Sequence, residues 1–360
     1  MFEFTGLKDA PGWMREAGQD DRVVISSRIR LSRNLAGHLY PGTYSPEEEN
    51  AVRSEILEAY KRLPNARKFS IIYLDDISPL ERRMLFERNV ISQAYSLEKN
   101  KAIALAEDES RSAVIADEDH LRLVGVKTGA GLEAVLEGLN GLDDALNRSL
   151  GFAVSGEWGY LNTAITNLGT GLKASMMLHL PALAMSGLIK RAVKASAQLG
   201  LSIRGFFSES VESLGDIYIV ANEVTIGLSE KEIIGNLGRI ATQLIGYEIR
   251  TREELMEKRR MDIEDRVFRA LGLLTHCRYL SAREAVENLS SLKLGVCLGL
   301  VSGVDNASVA ALMFLCQKSH IQMLLQSRHD TVDGKLIDYT RAKLIRESLE
   351  VGRGEGHGHV

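Results

Sequence analysis

From Val23 to Leu31 the chain alternates: Val23, Ile25, Ser27, Ile29 and Leu31 fall on one side, and Val24, Ser26, Arg28 and Arg30 on the other. Successive side chains of a strand face opposite sides of its sheet, so the pattern predicts a half-buried β-strand. A second strand is expected at 68–74. A helix follows it, since Ser78 can cap it, Pro79 takes the first helical position and Glu81 closes a capping box. Residues 101–127 read as three short strands with tight polar turns, and connections that short permit only antiparallel pairing. A helical stretch at 131–150 precedes strands at 171–181 and 201–207, with a helix between them, and a last strand at 216–227. Beyond 228 the period becomes helical. Ile233, Leu237, Ile240 and Leu244 lie at helical spacing behind a capping box of Ser229 and Glu232. Further helices are expected at about 252–275, 281–290 (behind Ser281 and Glu284), 306–326 and 338–350.

The expected fold is α+β: an antiparallel sheet flanked by helices, plus a C-terminal all-helical domain. The expected division is an arm at 1–20, a sheet-bearing domain at 21–254, a helical domain at 255–350 and a glycine-rich, disordered tail at 351–360.

Composition narrows the function. With 45% hydrophobic and 26% charged residues, the 360-residue chain has the make-up of an ordinary soluble protein. A net charge of -4 leaves no surplus of basic residues for a nucleic-acid partner. No apolar run reaches ~18 residues and no signal-peptide order is present, so a cytoplasmic protein without a membrane span is expected. Cys277, Cys297 and Cys316 form no CxxC pair, so no metal site is expected and the thiols read as buried and unreactive.

The charged residues are more telling. Arg28 and Arg30 project side by side from one strand face, with Arg33 just beyond. In "ADEDHLRLVGV" Glu118, His120 and Arg122 are expected to share a face. In "GLKASMMLHLP" Lys173, Ser175, Met177 and His179 face away from Ala174, Met176, Leu178 and Leu180. His120 and His179 are expected to be structural. Arg204 ends a strand, and the loop after it carries Glu209 and Glu212. The Thr/Asn/Gly turn at 163–173 can aim backbone N–H groups into a ligand site. Arg28, Arg30, Arg122, Lys173 and Arg204 thus lie on strands of one inferred sheet. Gathered on one face they would repel unless a polyanion joined them, and a nucleoside triphosphate with Mg²⁺ is the common one. No GxxxxGK[ST] loop and no GxGxxG with a kinase catalytic loop is present, which excludes the P-loop and protein-kinase folds.

In order along the chain, "SSRIRLSRN", "DEDHLR", "TNLGTGLKASMMLHLPAL" and "LSIRGFFSESVESLGDIYIVANEVTIGLSE" resemble the blocks of the phosphagen kinase superfamily, in its bacterial protein arginine kinase branch. The resemblance runs from about residue 20 to 350, and the late position of the helical domain is that branch's arrangement. It implies transfer of the γ-phosphoryl of ATP, with Mg²⁺ held through the phosphates, to the guanidinium of arginine side chains in proteins. Matched position by position, the ATP site would comprise Ser26, Ser27, Arg28, Ile29, Arg30, Arg122, Lys173, Ala174, Ser175, Met176, Met177, Arg204, Gly205, Phe206, Phe207, Ser208 and Glu209. Glu118 would clamp the guanidinium and act as base, with Glu212, and Glu209 beside it, as the second carboxylate. The resemblance also implies protein substrates with exposed arginines, a zinc-binding activator, a Clp ATPase and a link to proteolysis under stress. A homodimer is expected because paired helices readily bury an apolar stripe.

The chain departs from the family pattern. Ala164 and Ile165 replace a cysteine and a proline, Lys173 an arginine and Asn89 a histidine, and "SESVE" replaces a glycine-rich loop. Of a phosphoarginine-sensing motif Asp338, Arg341 and Ala342 remain, while Ile337 replaces its first arginine. Two other readings compete: an adaptor that binds nucleotide or phosphoarginine without turnover, and a kinase of a free guanidino compound.

Overall fold

The computed structural model describes residues 4–206, 213–325 and 333–354. Its strands are β1 (Val24–Arg33), β2 (Phe69–Tyr73), β3 (Ala102–Ala106), β4 (Arg111–Ile115), β5 (Leu121–Thr128), the short pair β6 (Val154–Ser155) and β7 (Gly159–Tyr160), then β8 (Leu172–His179), β9 (Leu201–Gly205) and β10 (Ile217–Asn222). All but β6 and β7 join one sheet in the order β2-β3-β4-β5-β1-β8-β10-β9, and every neighbouring pair is antiparallel. The helices of the sheet-bearing part are α1 (Pro46–Lys61), α2 (Pro79–Glu87), α3 (Gln93–Leu97), α4 (Leu132–Leu150), α5 (Pro181–Met185) and α6 (Ile189–Ala197). Helices α7 (Glu230–Lys258), α8 (Arg260–His276), α9 (Ala282–Cys297), α10 (Asn306–Leu315), α11 (Lys318–Leu324) and α12 (Gly334–Gly354) follow. The α+β class is as expected.

Sequence chemistry explains the helix starts. Ser78, Ser229 and Ser281 each close a capping box with the glutamate three residues on, satisfying N–H groups that the first turn leaves free. Helix α1 was not expected. It begins in the same manner, with Ser45 accepting from the Glu48 N–H and Pro46 at the first position. α7 runs unbroken across residue 254, and α12 runs into the stretch read as a tail, as far as Gly354.

The two faces of the sheet meet different partners. One face is covered throughout: Ile29, Leu31, Leu123, Ala174, Leu178 and Val220 form a single core with residues of α1, α4 and α7. The other face is divided. Toward β2, Ile103 and Val114 lie under Leu85 of α2 and Tyr95 of α3. Toward β10, Ile217 joins a core built with Val286, Leu289 and Leu312 of the C-terminal helices, which also takes in Phe4, Ala10 and Met14. Between these two clusters the face carries charged side chains.

The alternation of β1 holds only from Ser26 onward. A register slip between Val24 and Ser26 sends Val24 into the core with Ile29 and Leu31, and Ile25 into the core of the C-terminal helices. The expected phase of Val24 and Ile25 is therefore reversed.

Buried polar groups fasten β8 to the helices. Glu248, inaccessible to solvent, accepts the Ala182 and Leu183 N–H groups at 3.1 and 3.0 Å and the Arg252 Nε at 2.7 Å. Arg252 also donates to the carbonyls of Arg22 and His179. His179 makes a 2.9 Å bond through Nε2 to Ser290 Oγ. Its pKa lies well below the usual histidine value because of burial, with Lys293, Arg252 and Arg266 nearby. Among the cysteines only Cys316 is fully buried, and burial pushes its thiol up to about 12.

Candidate active site

Cross-strand register gathers the cations. Arg28 is the partner of Ser175 and Arg30 of Lys173 across β1 and β8; Ser32 is the partner of Arg122 across β1 and β5. Met177 pairs with Ile219, and Ile219 with Arg204. Residues directly opposite in a sheet share a face. Arg28, Arg30, Arg122, Lys173 and Arg204 therefore stand together on the divided face, in the gap between its two apolar covers. The intervening Ser27, Ile29, Ala174 and Met176 point into the opposite layer, where Ser27 Oγ donates to the Gly129 carbonyl at 2.8 Å.

Arg33 is not part of this group. Its odd position places it on the covered face, 1% exposed, where Nη2 meets Asp143 Oδ2 at 2.9 Å and the guanidinium lies 3.5 Å from the Tyr160 ring centre. It is a structural pin.

The gathered charges oppose one another. Burial, with Arg30, Arg122 and Arg204 nearby, pulls Arg28 down to about 9. Burial and Arg122 pull Arg30 down to about 10, while Glu118 works against the shift. Lys173 is lowered by burial and by Arg30. Like charges gathered in this way suit a multivalent anion. Three of the cations are nevertheless aimed. Arg28 Nη2 donates to the Asn89 carbonyl at 2.8 Å, and Lys173 Nζ to the Glu223 carbonyl at 2.7 Å. Arg122 Nη2 meets Asp117 at 2.5 Å.

Glu118 does not lie on a strand beside His120 and Arg122 as expected, because β5 begins only at Leu121. It is exposed in the turn before β5, and its charge is felt by Arg30 and Lys173. His120 is inaccessible: Nδ1 accepts the Leu35 N–H at 3.0 Å and Nε2 bonds the Leu39 carbonyl at 2.9 Å. Burial lowers its pKa, so it serves as a neutral strut.

Sequence reasoning missed Asp119. Only 2% exposed, it accepts from Asn34 Nδ2 at 3.1 Å, from the Thr163 N–H at 2.8 Å and from Asn167 Nδ2 at 3.1 Å. It thus fixes the 163–170 turn against the end of β1, one residue from Glu118. The alternation of acids in "DEDH" was its only signal. The turn itself is closed by backbone contacts. Gly171 has φ +64, and a Cβ there would lie 2.5 Å from the Ser32 carbonyl oxygen, so only glycine fits.

Gly205 is buried, and Phe206 packs on Phe314 with ring centres 5.4 Å apart. Phe207, Ser208, Glu209 and Glu212 lie outside the described residues. Asp338, Arg341 and Ala342 lie on α12, in the chain's helical half. The Arg341 guanidinium is buried and donates to the carbonyls of Cys316 and Leu280, both at 2.7 Å, and to Asp338.

Comparison with known proteins agrees with this geometry. Residues 51–251 match the family described as ATP:guanido phosphotransferase, C-terminal catalytic domain, and residues 260–357 match the protein-arginine kinase McsB C-terminal domain. The protein-arginine kinase of Halothermothrix orenii is 37% identical over 345 residues, covering 96% of this chain and 98% of that protein. That of Bacillus subtilis is 35% identical over 348 residues, covering 96% and 95%. Among solved structures, lombricine kinase superposes with a TM-score of 0.58 at 24% identity, over 67% of this chain and 69% of that one. The duplicated taurocyamine kinase of Schistosoma mansoni gives the same score and identity over 69% of this chain, which spans only 34% of that protein. These two likenesses concern the fold. The chain belongs to the ATP:guanido phosphotransferase family and, within it, to the protein-arginine kinases. It is a phosphotransferase.

Proposed function

We propose that this chain transfers the γ-phosphoryl of ATP to the guanidinium of arginine side chains in proteins. The observation that carries the reading is the row of Arg28, Arg30, Arg122, Lys173 and Arg204 on one sheet face with the exposed carboxylate of Glu118 close enough to act on it. Phosphoryl transfer depends on positioning and on charge neutralisation. The cations would hold the phosphates and balance the charge that builds on the departing ADP. Mg²⁺, held through phosphate oxygens, would add further neutralisation. Glu118 would grip the planar guanidinium and take the proton that its nitrogen sheds as the N–P bond forms and the bond to the bridging oxygen breaks. Glu212 and Glu209 are proposed as the second clamp.

The same reading carries the wider proposals: substrates with exposed arginines, a zinc-binding activator, a Clp ATPase downstream in a stress response, a homodimer and a cytoplasmic setting. So too do the expected arm at 1–20, catalytic domain at 21–254 and helical domain at 255–350. Phosphoarginine sensing through Asp338, Arg341 and Ala342 would require Arg341 to exchange the Cys316 and Leu280 carbonyls for a phosphate.

The test is incubation with MgATP and an arginine-rich unstructured protein, followed by mass spectrometry for acid-labile phosphate on arginine. Product is expected, with a loss of at least about a hundredfold in Glu118→Gln. ATP binding without product would overturn the reading in favour of an adaptor.

A further inference from the structure

Five large apolar side chains stand bare on segments stitched to the 163–170 turn, and a sixth lies on the segment that His120 holds. Ile165 is 86% exposed, Val154 58%, Trp158 48%, Val224 42% and Ile226 38%; Leu39 is 58% exposed. Loose loops can carry such residues without meaning, but these are held. Thr225, between Val224 and Ile226, donates through Oγ1 to the carbonyls of Thr166 and Leu168, and its own carbonyl accepts the Thr170 N–H. The hairpin bearing Val154 and Trp158 is tied in through paired backbone bonds between Tyr160 and Gly169. Asp119 pins the turn itself, and the Leu39 carbonyl is bonded by His120. Fixing apolar side chains in water costs free energy with no return inside the fold, and grouped ones mark a contact surface.

Charge identifies the partner. Acids accompany the apolar residues: Glu157 precedes Trp158, Glu223 precedes Val224, and all three of Glu118, Glu157 and Glu223 are exposed. Such a surface suits a segment that is both apolar and cationic. It is also continuous with the candidate active site, through Asp119 to Glu118 and through Lys173, which donates to the Glu223 carbonyl.

We infer that this rim docks an extended, unfolded polypeptide, seating the apolar side chains that flank a target arginine while the guanidinium reaches Glu118. The inference rests on the phosphotransfer reading above and narrows its substrate to arginines in apolar sequence, the kind that folded proteins keep covered.

Two sets of single-arginine peptides test it, one flanked by Leu and Val, the other by Ser and Gly, with Ile165→Ser and Trp158→Ser as variants. Both positions are exposed, and thermal melting checks that the fold is kept. The wild-type protein is expected to favour the apolar peptides by about tenfold in kcat/KM, and the variants to approach parity, with the KM for ATP and turnover of the Ser/Gly peptides unchanged. Equal use of both sets by the wild-type protein, or a preference that survives both substitutions, would overturn the inference. So would variants that change only the oligomeric state by light scattering, which would make the rim a contact between copies. Peptide binding by fluorescence anisotropy keeps the two readings apart. Selective binding of apolar peptides without any phosphoarginine retains the docking surface and sinks the transfer reading.

Discussion

Arg30 and Lys173 are direct partners across β1 and β8, so two positively charged side chains stand opposite one another on one sheet face. Like charges so placed destabilise the strand pair. On the proposed function a bound nucleotide would reverse the sign. Nucleotide is therefore expected to stabilise the protein strongly, raising Tm in calorimetry with the logarithm of its concentration above Kd. In Lys173→Met the ATP KM should rise about tenfold and the Tm gain from saturating nucleotide should shrink. Moderate salt should raise the Tm of the free protein while weakening ATP binding, since screening relieves the repulsion and the attraction alike.

Asp119→Ala should damage catalysis without touching nucleotide. The substitution leaves the Thr163 N–H and the Asn167 amide without this acceptor, each costing about 1–3 kcal/mol where it stays buried, and leaves Asn34 Nδ2 only the Leu161 carbonyl and Thr163 Oγ1. With the turn freed, Glu118 loses its fixed neighbour. Steady-state kinetics should show kcat falling by more than tenfold with the ATP KM within about twofold. A rise in the ATP KM of the same size as the fall in kcat would contradict the positioning role.

Arg33 and Asp143 form a buried pair, and breaking one side should be costly. Arg33→Met should destabilise by about 3–5 kcal/mol in urea unfolding, because Asp143 is left buried without its partner. Asp143 is already pushed above the usual carboxylate range by burial, against the pull of Arg33. In Arg33→Met it should take up a proton nearer neutrality still.

Asp216 gives the stability a pH dependence of definite sign. Burial raises its carboxyl to about 6, although Arg266 beside it pulls the other way. The folded state therefore holds this proton more tightly than the unfolded state does. Its contribution is fully present below about pH 3.8, the unfolded value, and is lost as pH rises through about 6. Asp216→Asn removes the ionisation, so the variant's Tm relative to the wild-type protein should climb between pH 4 and 6.5 and then level off. A constant difference across that range would show that Asp216 does not titrate there.

Much of this was legible from the residues. Capping boxes at Ser78, Ser229 and Ser281 announced three helices because that chemistry is local. The tight turns of 101–127 forced antiparallel pairing, and period-two alternation correctly put Arg28 with Arg30 and Lys173 with Ser175. Most of what failed depended on partners distant in sequence. The slip at Ile25 has no signature in hydrophobic periodicity, since both phases bury an aliphatic side chain. Arg33 looked like a third anion-binding arginine until Asp143, 110 residues away, proved to be its partner. Asp119 was overshadowed by Glu118 because nothing local distinguishes a buried acceptor of three hydrogen bonds from its exposed neighbour. Helix α1 was overlooked although Ser45 and Pro46 mark its start.

The slip in β1 also has a mechanical meaning. One strand places Val24 in the core beneath α4 and α7 and the adjacent Ile25 in the core of the C-terminal helices, while the carbonyls of Asp21 and Arg22 just ahead accept from Lys293 and Arg252. A single stitch thus passes through both halves of the molecule, so neither half can loosen without drawing on the strand that carries Arg28 and Arg30. Such a chain should melt in one transition, and the row of cations should feel any strain applied to the distant helices.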